Sequence, residues 1–453
     1  MNQDRFVAVI LAAGEGSRMQ SAVPKVLHEI AGRPMISHVI EALRPLQPAA
    51  TVLVLGPGMA AVAQAASPAA SVVQFPPRGT GDAVRAAAVA LAPLLAEDES
   101  IRDVLVVYGD TPLLQPQGLA GLLEARRRSP AVAVAATGMR PKDPGAYGRM
   151  VLGSDGGLDR IVEARDATAD ERTIGLCNGG IMALDARLCF DLVGQIGNDN
   201  AKREFYLTDI VAIARRRGLG CRVAEMPAED LLGVNTRAEL AAAEAILQDR
   251  LRQRAMSGGA TLVAPETVFL SADTRLGQDV IVEPNVFFGP GVTIGDNVHI
   301  RAFSHLEGAT IARGAIVGPF ARLRPGAVLE EDVHVGNFVE VKATRLGAGV
   351  KASHLTYLGD SDVGAGTNIG AGTITCNYDG FNKHRTTIGA GAFIGSNTAL
   401  VAPVTVGDGA YVATGSVVTS DVPADALTIA RGRQVDKPGR AAELRARLKG
   451  RNR

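Results

Sequence analysis

The sequence contains no run of residues that could cross a membrane as a single helix. Its longest stretch without a charged side chain, 45–77, is interrupted by Gly56-Pro57-Gly58 and by Pro68. Glycine and proline at such positions prevent one continuous membrane-spanning helix. The chain also enters the apolar segment 6–11 without the flanking residues of a signal peptide. We therefore expect a cytoplasmic protein with no membrane insertion.

Cysteine is scarce and charge is balanced. Lysine plus arginine and aspartate plus glutamate both number 47, so no overall field favours nucleic acid. From Arg431 onward, however, nine basic residues face only Asp436 and Glu443. That segment is either a solvated tail or a patch for a phosphorylated ligand. Unpaired structural thiols in a reducing cytosol are expected, because no CxxC spacing occurs among Cys177, Cys189, Cys221 and Cys376.

An aliphatic residue returns at every sixth position over much of the second half of the chain. The repeat is unbroken from Ile311 to Val341, and it also runs through 282–306 and 388–418. A helix period of 3.6 or a plain strand alternation does not produce a period of six. A hexapeptide repeat predicts a parallel β-helix, in which each coil is buried by the coils on either side.

The repeat loses its spacing between Val341 and Ile388. Insertions in repeat proteins concentrate on a working face, so this region is a candidate site. A lone histidine on a solenoid is often structural, but a neutral imidazole is also the natural base near pH 7. The irregular region carries His354, Tyr357, Asn377, Tyr378 and Lys383.

The first half of the chain alternates short apolar runs with helical stretches. This pattern predicts an open parallel sheet with helices on both faces and a ligand at the carboxyl ends of the strands. The predicted strands are 6–11, 51–55, 71–75, 104–108 and 131–136, and the clearest helices are 80–95 and 116–128.

A glycine-containing motif follows the first predicted strand. Gly14 and Gly16 let the backbone approach phosphates, and Arg18 and Lys25 supply positive charge for them. Met19 stands where the dinucleotide-binding fingerprint has its third glycine, so that fingerprint is absent. Together with Pro24-Lys25, the motif resembles the signature of sugar-1-phosphate nucleotidyltransferases.

Asp110 ends another predicted strand, in Tyr108-Gly109-Asp110, and could hold Mg²⁺ or cap a helix. The segments around Gly148, Glu163, Asn178 and Asn235 are interpreted as ordinary loops when taken singly. After Asn235, Thr236 to Glu239 forms a capping box, which predicts a helix to about Met256.

Both halves together closely resemble the bacterial family of bifunctional N-acetylglucosamine-1-phosphate uridyltransferases and glucosamine-1-phosphate acetyltransferases, over nearly the whole chain. The resemblance implies an α/β Rossmann-like uridyltransferase domain (1–235) and a helical linker (236–257). A left-handed parallel β-helix acetyltransferase domain (258–437) and a basic tail (438–453) then follow. It also implies a homotrimer with acetyl-transfer sites at subunit boundaries.

The family's activity would acetylate glucosamine 1-phosphate with acetyl-CoA and then transfer UMP from UTP, giving UDP-N-acetylglucosamine for cell-wall synthesis. In the first domain, the resemblance assigns nucleotide contacts to Leu11, Ala12, Ala13, Gly14, Lys25, Gln74, Gly79, Thr80, Tyr108, Gly109 and Asp110. It assigns catalysis on the triphosphate to Arg18 and Lys25, Mg²⁺ to Asp110 and Asn235, and the sugar to Gly148, Glu163, Asn178 and Asn235.

In the second domain, the resemblance makes His354 the catalytic base. It matches six positions to residues that bind the amino-sugar phosphate: Arg324, Lys342, Tyr357 and Lys383, together with Asn368 and Asn377. Acetyl-CoA contacts are assigned to Asn377, Tyr378, Lys383, Ser396, Thr414 and Arg431.

The chain departs from the family pattern in several places. Arg78 and Asp82 stand where Leu and His are frequent, Phe205 replaces a usual Tyr, and Thr414 replaces a usual Ala. Two alternatives stay open on the sequence alone. One is a nucleotidyltransferase whose β-helix only oligomerises or regulates, and the other is a non-enzymatic assembly subunit of the same architecture.

Overall fold

The computed structural model describes residues 4–14, 16–200 and 202–450 of the chain. The chain divides into two compact units, Met1–Arg250 and Leu251–Arg453, and the boundary between them falls inside one long helix. Each unit is described by itself below.

The first unit is built on a mixed sheet. Its order is β11-β7-β10-β6-β1-β4-β5, with the β8–β9 hairpin joined to β10, and β2 and β3 form a separate small hairpin. The strands are β1 (Arg5–Ala12), β2 (Glu29–Ile30), β3 (Arg33–Pro34), β4 (Ala50–Leu55), β5 (Ala70–Val73), β6 (Ile101–Tyr108), β7 (Val132–Met139), β8 (Arg149–Leu152), β9 (Leu158–Val162), β10 (Cys177–Asp185) and β11 (Gly220–Glu225).

The prediction of a parallel sheet is wrong at β10 and at the β8–β9 hairpin, whose strands pair antiparallel with each other and with β10. β10 lies between β6 and β7 and runs antiparallel to both. Asn178, interpreted as a loop residue, lies in β10, and Arg149 lies in β8. The segment was missed because Gly179 and Gly180 weaken its apolar pattern, whereas its pairing partners are distant in the chain.

Helices cover both faces of this sheet, as the alternating pattern predicts. Alternate residues of β1 point to opposite faces of the sheet. Val7 and Val9 belong to the buried cluster on one face, and Ala8 and Ile10 belong to the cluster on the other face. The helices are α1 (Met35–Leu43), α2 (Ala60–Ala65), α3 (Thr80–Glu97), α4 (Pro116–Arg127), α5 (Ala169–Arg172), α6 (Cys189–Gly194) and α7 (Asp209–Arg216), with 3-10 turns at Ser17–Met19, Lys25–Leu27 and Arg44–Leu46.

The long helix α8 (Arg237–Ser257) begins at the predicted capping box. The Glu239 backbone N–H donates to Thr236 Oγ1 (3.2 Å), and the Thr236 N–H donates to Glu239 Oε2 (2.9 Å). The Asn235 N–H donates to the same carboxylate oxygen at 2.7 Å. The cap therefore also fixes the backbone of Asn235 at the end of the preceding loop.

The second unit is a parallel β-helix with three faces. Its coils run through face 1, face 2 and face 3 in that order, and a 3-10 turn at Pro265–Thr267 lies within the first coil. Face 1 contains Thr261–Leu262, Ile281–Val282, His299–Ile300, Ile316–Val317, His334–Asn337, Lys351–His354, Asn368–Ile369, Phe393–Ile394, Tyr411–Val412 and Leu427–Thr428. Face 2 contains Phe287–Phe288, His305–Leu306, Arg322–Leu323, Glu340–Lys342, Tyr357–Gly359, Ile374–Cys376, Ala399–Val401 and Val417–Val418. Face 3 contains Arg275–Leu276, Thr293–Ile294, Ala309–Ile311, Ala327–Leu329, Arg345–Leu346, Ser361–Val363, Thr386–Ile388 and Val404–Val406.

The six-residue aliphatic positions point inward and are buried. Val317, Leu323 and Val335 have no exposed surface, and Val317 lies directly opposite Val335 on the next coil. The irregular stretch keeps inward positions that the aliphatic pattern does not reveal: Ala352 and Thr375 are fully buried there. Thr375 Oγ1 accepts a hydrogen bond from the Gly359 N–H at 2.8 Å, which satisfies its hydroxyl inside the coil.

The basic C-terminal segment contains the exposed helix α9 (Arg440–Gly450). Among the helices of the described residues, none combines the length and apolar character needed to span a membrane. The four cysteines are unpaired, and three of them are buried.

Candidate active sites

A cavity opens at the carboxyl ends of β1 and β6 in the first unit. Most of the residues assigned to the nucleotide line it. They are Leu11, Ala12, Ala13, Gly14, Lys25, Gln74, Gly79, Thr80, Tyr108 and Asp110, joined by Val26, Pro77, Ala83 and Glu204. Gly109 is buried behind this lining, and its N–H donates to the Leu11 carbonyl at 2.9 Å. The edge of the sheet thus gathers residues that lie far apart in the sequence.

Two cations of the glycine-containing motif have different surroundings. Lys25 Nζ forms an ion pair with Asp110 and donates to Asn235 Oδ1 at 3.0 Å. Arg18 is exposed and has no ion-pair partner among the described residues. Gly16 has φ of +67°, and a Cβ there would lie 2.5 Å from Lys25 Cβ. Because glycine has no Cβ, the Lys25 side chain can pass this position and reach Asp110.

The oxygens of Asp110 and Asn235 are arranged around one positive charge, the Lys25 ammonium. A carboxylate and an amide oxygen are ligands that suit Mg²⁺, which takes few protein ligands and completes its shell with water and phosphate oxygens. A site made from three or more His, Cys, Asp or Glu side chains is not found among the described residues. The donor set therefore fits a magnesium ion that is shared with a phosphorylated substrate.

A second cavity adjoins the first, because Thr80, Tyr108 and Glu204 line both. It contains Glu163 and Asn178, and the Asn178 N–H donates to the Gly148 carbonyl at 2.8 Å. Three of the four residues assigned to the sugar in this unit are therefore close to one another, whereas the fourth, Asn235, contacts Lys25.

Burial favours the neutral form of two groups in this second cavity, Glu163 and Tyr108. Burial raises the pKa of Glu163, although a hydrogen bond from Thr208 (3.3 Å) opposes the shift. Burial also raises the pKa of Tyr108, and the nearby Asp110 carboxylate adds to the effect. Tyr108 therefore stays a neutral hydrogen-bonding group between the two cavities.

Three of the four residues that differ from the family pattern, Arg78, Asp82 and Phe205, form one cluster beside the nucleotide cavity. Gln74 Nε2 donates to Asp82 Oδ2 at 2.9 Å and to the Gly79 carbonyl at 3.1 Å. Arg78 is ion-paired with Asp82 at 3.4 Å, and its guanidinium lies 5.6 Å from the centre of the Phe205 ring. Sequence comparison identified these departures singly, whereas the structure shows that they are neighbours.

On the β-helix, polar residues of successive coils meet where face 2 turns into face 3. Lys342 Nζ lies 3.0 Å from Asp360 Oδ1, and Asn377 Nδ2 donates to the same carboxylate. Asn377 also lies 3.4 Å from the Tyr357 hydroxyl. Burial would raise the pKa of Asp360, but the hydrogen bonds from Lys342 and Asn377 outweigh it and lower the pKa.

Three basic side chains surround this cluster. Arg324 forms an ion pair with Glu340 at 2.9 Å, one coil below Lys342. The hydrogen bond and the charge of Lys342 lower the pKa of Lys383. Closely spaced cations of this kind are suited to a phosphate, which would relieve their mutual repulsion.

His354 ends a strand of face 1, at the exposed corner that leads into face 2. Its Nδ1 is 2.8 Å from Asn337 Oδ1. An amide oxygen can only accept a hydrogen bond, so Nδ1 carries the proton in the neutral ring. The lone pair is then on Nε2, so that atom is the one that can accept a proton.

The residues assigned to acetyl-CoA fall into two groups. Ser396, Thr414 and Arg431 follow one another along the corner after face 1: the Gly415 N–H donates to the Ser396 carbonyl (2.8 Å), and Arg431 donates to the Thr414 carbonyl (2.6 Å). This is the corner that carries His354 on an earlier coil. The others, Asn377, Tyr378 and Lys383, lie with Lys342. Asn368, which was assigned to the amino sugar, lies apart from that cluster on face 1 beside Lys351.

Sequence reasoning missed Asn337 and Asp360. Asn337 stands 17 residues before His354, and Asp360 stands 18 residues after Lys342. Both separations equal one coil of the β-helix, so polar residues one coil from an assigned residue would have been a usable signal.

Comparison with known proteins identifies both units as transferase domains. The first matches the family described as MobA-like NTP transferase domain, over residues 8–173. The second matches the family described as bacterial transferase hexapeptide (six repeats), over residues 273–308 and 385–420. The fold and the two sites thus define a nucleotidyltransferase joined to a hexapeptide-repeat transferase.

Relatives in other bacteria match nearly the whole chain. The Bifunctional protein GlmU of Azorhizobium caulinodans is 56% identical over 450 residues, which cover 98% of each chain. That of Acidiphilium cryptum is 58% identical over 438 residues, with 97% of this chain and 98% of the relative covered. That of Rhodospirillum rubrum is 57% identical over 451 residues, with 99% and 100% covered. The chain belongs to the GlmU family of bifunctional proteins.

Membership of this family confirms the recognition made from the motifs. It also confirms the predicted enzyme class, a uridyltransferase combined with an acetyltransferase in one chain. The fold class is confirmed as well, since a Rossmann-like sheet unit is followed by a hexapeptide-repeat β-helix.

Proposed function

We propose that the protein acetylates glucosamine 1-phosphate with acetyl-CoA and then transfers UMP from UTP to the N-acetylglucosamine 1-phosphate formed. The products are UDP-N-acetylglucosamine, a cell-wall precursor, and pyrophosphate. One observation carries the proposal: each unit has its own set of groups suited to one of these reactions. A β-helix that only oligomerised would need neither an oriented imidazole nor a cluster of cations.

For uridyl transfer, a phosphate oxygen of N-acetylglucosamine 1-phosphate attacks the α-phosphorus of UTP. The bond from this phosphorus to the β-phosphate oxygen breaks, and pyrophosphate leaves. Arg18 and Lys25 bind the triphosphate beside Gly14 and stabilise the charge on the leaving group. Asp110 and Asn235 would hold Mg²⁺, which supplies further positive charge to the phosphate oxygens when bound. The sugar lies in the second cavity, which opens into the first.

For acetyl transfer, His354 Nε2 accepts a proton from the amine of glucosamine 1-phosphate. The nitrogen attacks the thioester carbonyl, the carbon–sulfur bond breaks, and His354 returns a proton to the CoA thiolate. Asn337 keeps the other ring proton on Nδ1. The sugar phosphate is bound by Arg324, Lys342 and Lys383, and acetyl-CoA lies along the corner that contains Ser396, Thr414 and Arg431.

We place residues 1–235 and 258–437 as the two catalytic domains, in a cytoplasmic homotrimer. An exposed aromatic stripe supports the assembly. Phe303, Phe320 and Phe338 stack on successive coils with ring centres 5.0 and 5.2 Å apart, and between 45% and 55% of each is exposed. All three have positive φ, which bulky residues rarely adopt. An exposed apolar stripe of this kind marks a surface that binds another protein chain.

Replacing both Phe320 and Phe338 by aspartate is therefore expected to dissociate the homotrimer, measured by light scattering after size-exclusion chromatography. Acetyl transfer should fall with it, since its sites are proposed to lie at subunit boundaries, while uridyl transfer persists. Val89→Asp is the matched control, because Val89 is an apolar residue of α3 that is 82% exposed. A double variant that kept the mass of the wild-type assembly would contradict the role given to the stripe.

One assay tests the proposed function as a whole. Purified protein is incubated with glucosamine 1-phosphate, acetyl-CoA, UTP and Mg²⁺, and free CoA thiol and pyrophosphate are followed separately. Both should appear, with pyrophosphate dependent on prior acetylation. If the protein released no CoA thiol but formed pyrophosphate once N-acetylglucosamine 1-phosphate was supplied, the result would instead favour a nucleotidyltransferase with an oligomerising β-helix.

A further inference from the structure

The orientation of the Gln74 side chain is determined by two hydrogen-bond acceptors. The Asp82 carboxylate and the Gly79 carbonyl lie 2.9 and 3.1 Å from one end of the amide. Neither group has a proton to donate, so the end that faces them must be the NH₂ group. The carbonyl oxygen of Gln74 is consequently turned away from both.

That oxygen is available to a ligand. Only 4% of Gln74 is exposed, and the residue lines the nucleotide cavity. Among the described residues, none donates a hydrogen bond to Gln74 Oε1. The atom is also not one of the fully buried polar atoms that lack a partner. Gln74 therefore presents a fixed hydrogen-bond acceptor to whatever base occupies the cavity.

Asp82 is itself held from several sides. Arg78 and Arg85 lie 3.4 and 3.9 Å from its carboxylate. Both guanidinium groups also lie over the Phe205 ring, at 5.6 and 5.0 Å from its centre. The ring is anchored in turn, because the Phe205 N–H donates to the Arg78 carbonyl at 2.8 Å.

Gly79 completes this arrangement. The Gly81 N–H donates to the Phe205 carbonyl at 2.8 Å. Gly79 has φ of +112°, and a Cβ on it would lie 2.7 Å from the Phe205 carbonyl oxygen. The segment around Phe205 thus packs closely on the loop that supplies one of the two acceptors.

We propose that Asp82 is a positioning residue that sets base preference by fixing which end of the Gln74 amide faces the nucleotide. The proposal rests on the uridyl transfer proposed above. Uracil has one base donor, its N3–H, because N1 carries the ribose. A fixed acceptor pairs with that donor, whereas cytosine has a lone pair at N3 and is repelled. Arg78, Arg85 and Phe205 act through Asp82.

The test compares kcat/KM for UTP and CTP in the full-length protein. Asp82→Ala leaves only the Gly79 carbonyl to orient the amide, so the UTP-to-CTP ratio should fall about tenfold. The change should appear mainly in KM, because Gln74 contacts the base and not the reacting phosphorus. Asp82→Asn retains an acceptor oxygen and should keep the ratio within about threefold of wild type.

A double-mutant cycle separates positioning from a general structural role. Asp82 also lies in the first turn of α3, where an acid stabilises the helix. If Asp82 acts through Gln74, then Asp82→Ala should lower the ratio no further in a Gln74→Ala background. Additive losses would overturn the proposal, and so would an unchanged ratio in the single variant.

The chain offers a matched control. Asp191 lies in the first turn of α6, forms an ion pair with Arg217 and accepts a hydrogen bond from Gln195 at 3.4 Å. It does not line the nucleotide cavity, so Asp191→Ala should leave the ratio unchanged. If Asp82→Ala fails to fold, Arg78→Ala tests the same positioning of Gln74 through Asp82. Arg78 is largely exposed, so this variant should fold. A UTP-to-CTP ratio equal to that of the wild type would overturn the proposal.

Failure of the underlying function would look different. If the wild-type protein released no pyrophosphate with any nucleoside triphosphate, the proposed uridyl transfer would be wrong. This inference would then be wrong as well. An active enzyme whose preference does not respond to Asp82 would overturn the inference alone.

Discussion

Asp110→Ala is expected to lower uridyl transfer by about 10²–10³-fold and to leave acetyl transfer at the wild-type rate. Asp110 is the only carboxylate of the proposed metal pair, and its partner Asn235 is neutral. Without it, Lys25 loses its ion-pair partner, and a divalent cation keeps only the neutral amide oxygen of Asn235 as a ligand from this pair. Pyrophosphate release and CoA release, measured on the same preparation, check the two halves of the statement.

A second readout for Asp110 does not depend on turnover. Titration of the protein with Mn²⁺, followed by electron paramagnetic resonance, should show weaker binding in Asp110→Ala than in the wild type. Asp98→Ala is a suitable control, because Asp98 pairs with Arg5 outside the cavity lining. Loss of both activities in Asp110→Ala would indicate misfolding, and full uridyl transfer would contradict the metal assignment.

The converse result is expected at His354. His354→Ala should lower acetyl transfer by about 10²–10⁴-fold, the usual contribution of a positioned base, and should leave uridyl transfer intact. The contact with Asn337 places the free lone pair on Nε2, and removal of the ring leaves no group in its place. The rate of CoA thiol release with saturating glucosamine 1-phosphate measures the effect.

His299→Ala provides the comparison for His354. His299 lies on the same face of the β-helix and also has a side-chain partner, Glu283 at 2.8 Å. It is not assigned to any substrate, so its replacement should leave CoA release unchanged. If His354→Ala acetylated at the wild-type rate, the proton would have to be taken by another group.

The β-helix shows how far a periodic sequence can be interpreted. Leu323 and Val335 could be placed inside the coil because the period of six directs each aliphatic residue inward. Ala352 and Thr375 occupy the same kind of position but were not recognised. A small or polar residue does not contribute to an aliphatic period, and the Thr375 hydroxyl is acceptable inside only because Gly359 bonds to it.

The first unit shows a different limit. The strand preceding Gly14 and the strand ending at Asp110 are continuous apolar runs, which made both motifs recognisable. The antiparallel position of β10 was not predictable in this way. It depends on pairing with β6 and β7, which are far from it in the chain, and not on the local pattern of its own residues.

By itself, the sequence determined the repeat, the phosphate-binding motif, the helix cap at Thr236 and the family, because each depends on residues close together in the chain or on a fixed spacing. Only the tertiary structure decided that Asn337 orients His354 and that Lys25 bridges Asp110 and Asn235. It also decided that Asp82, Arg78 and Phe205 form one cluster around Gln74. These contacts join residues whose separation in the chain reveals nothing of their distance in space, since hydrogen bonds and ion pairs act over only a few ångströms.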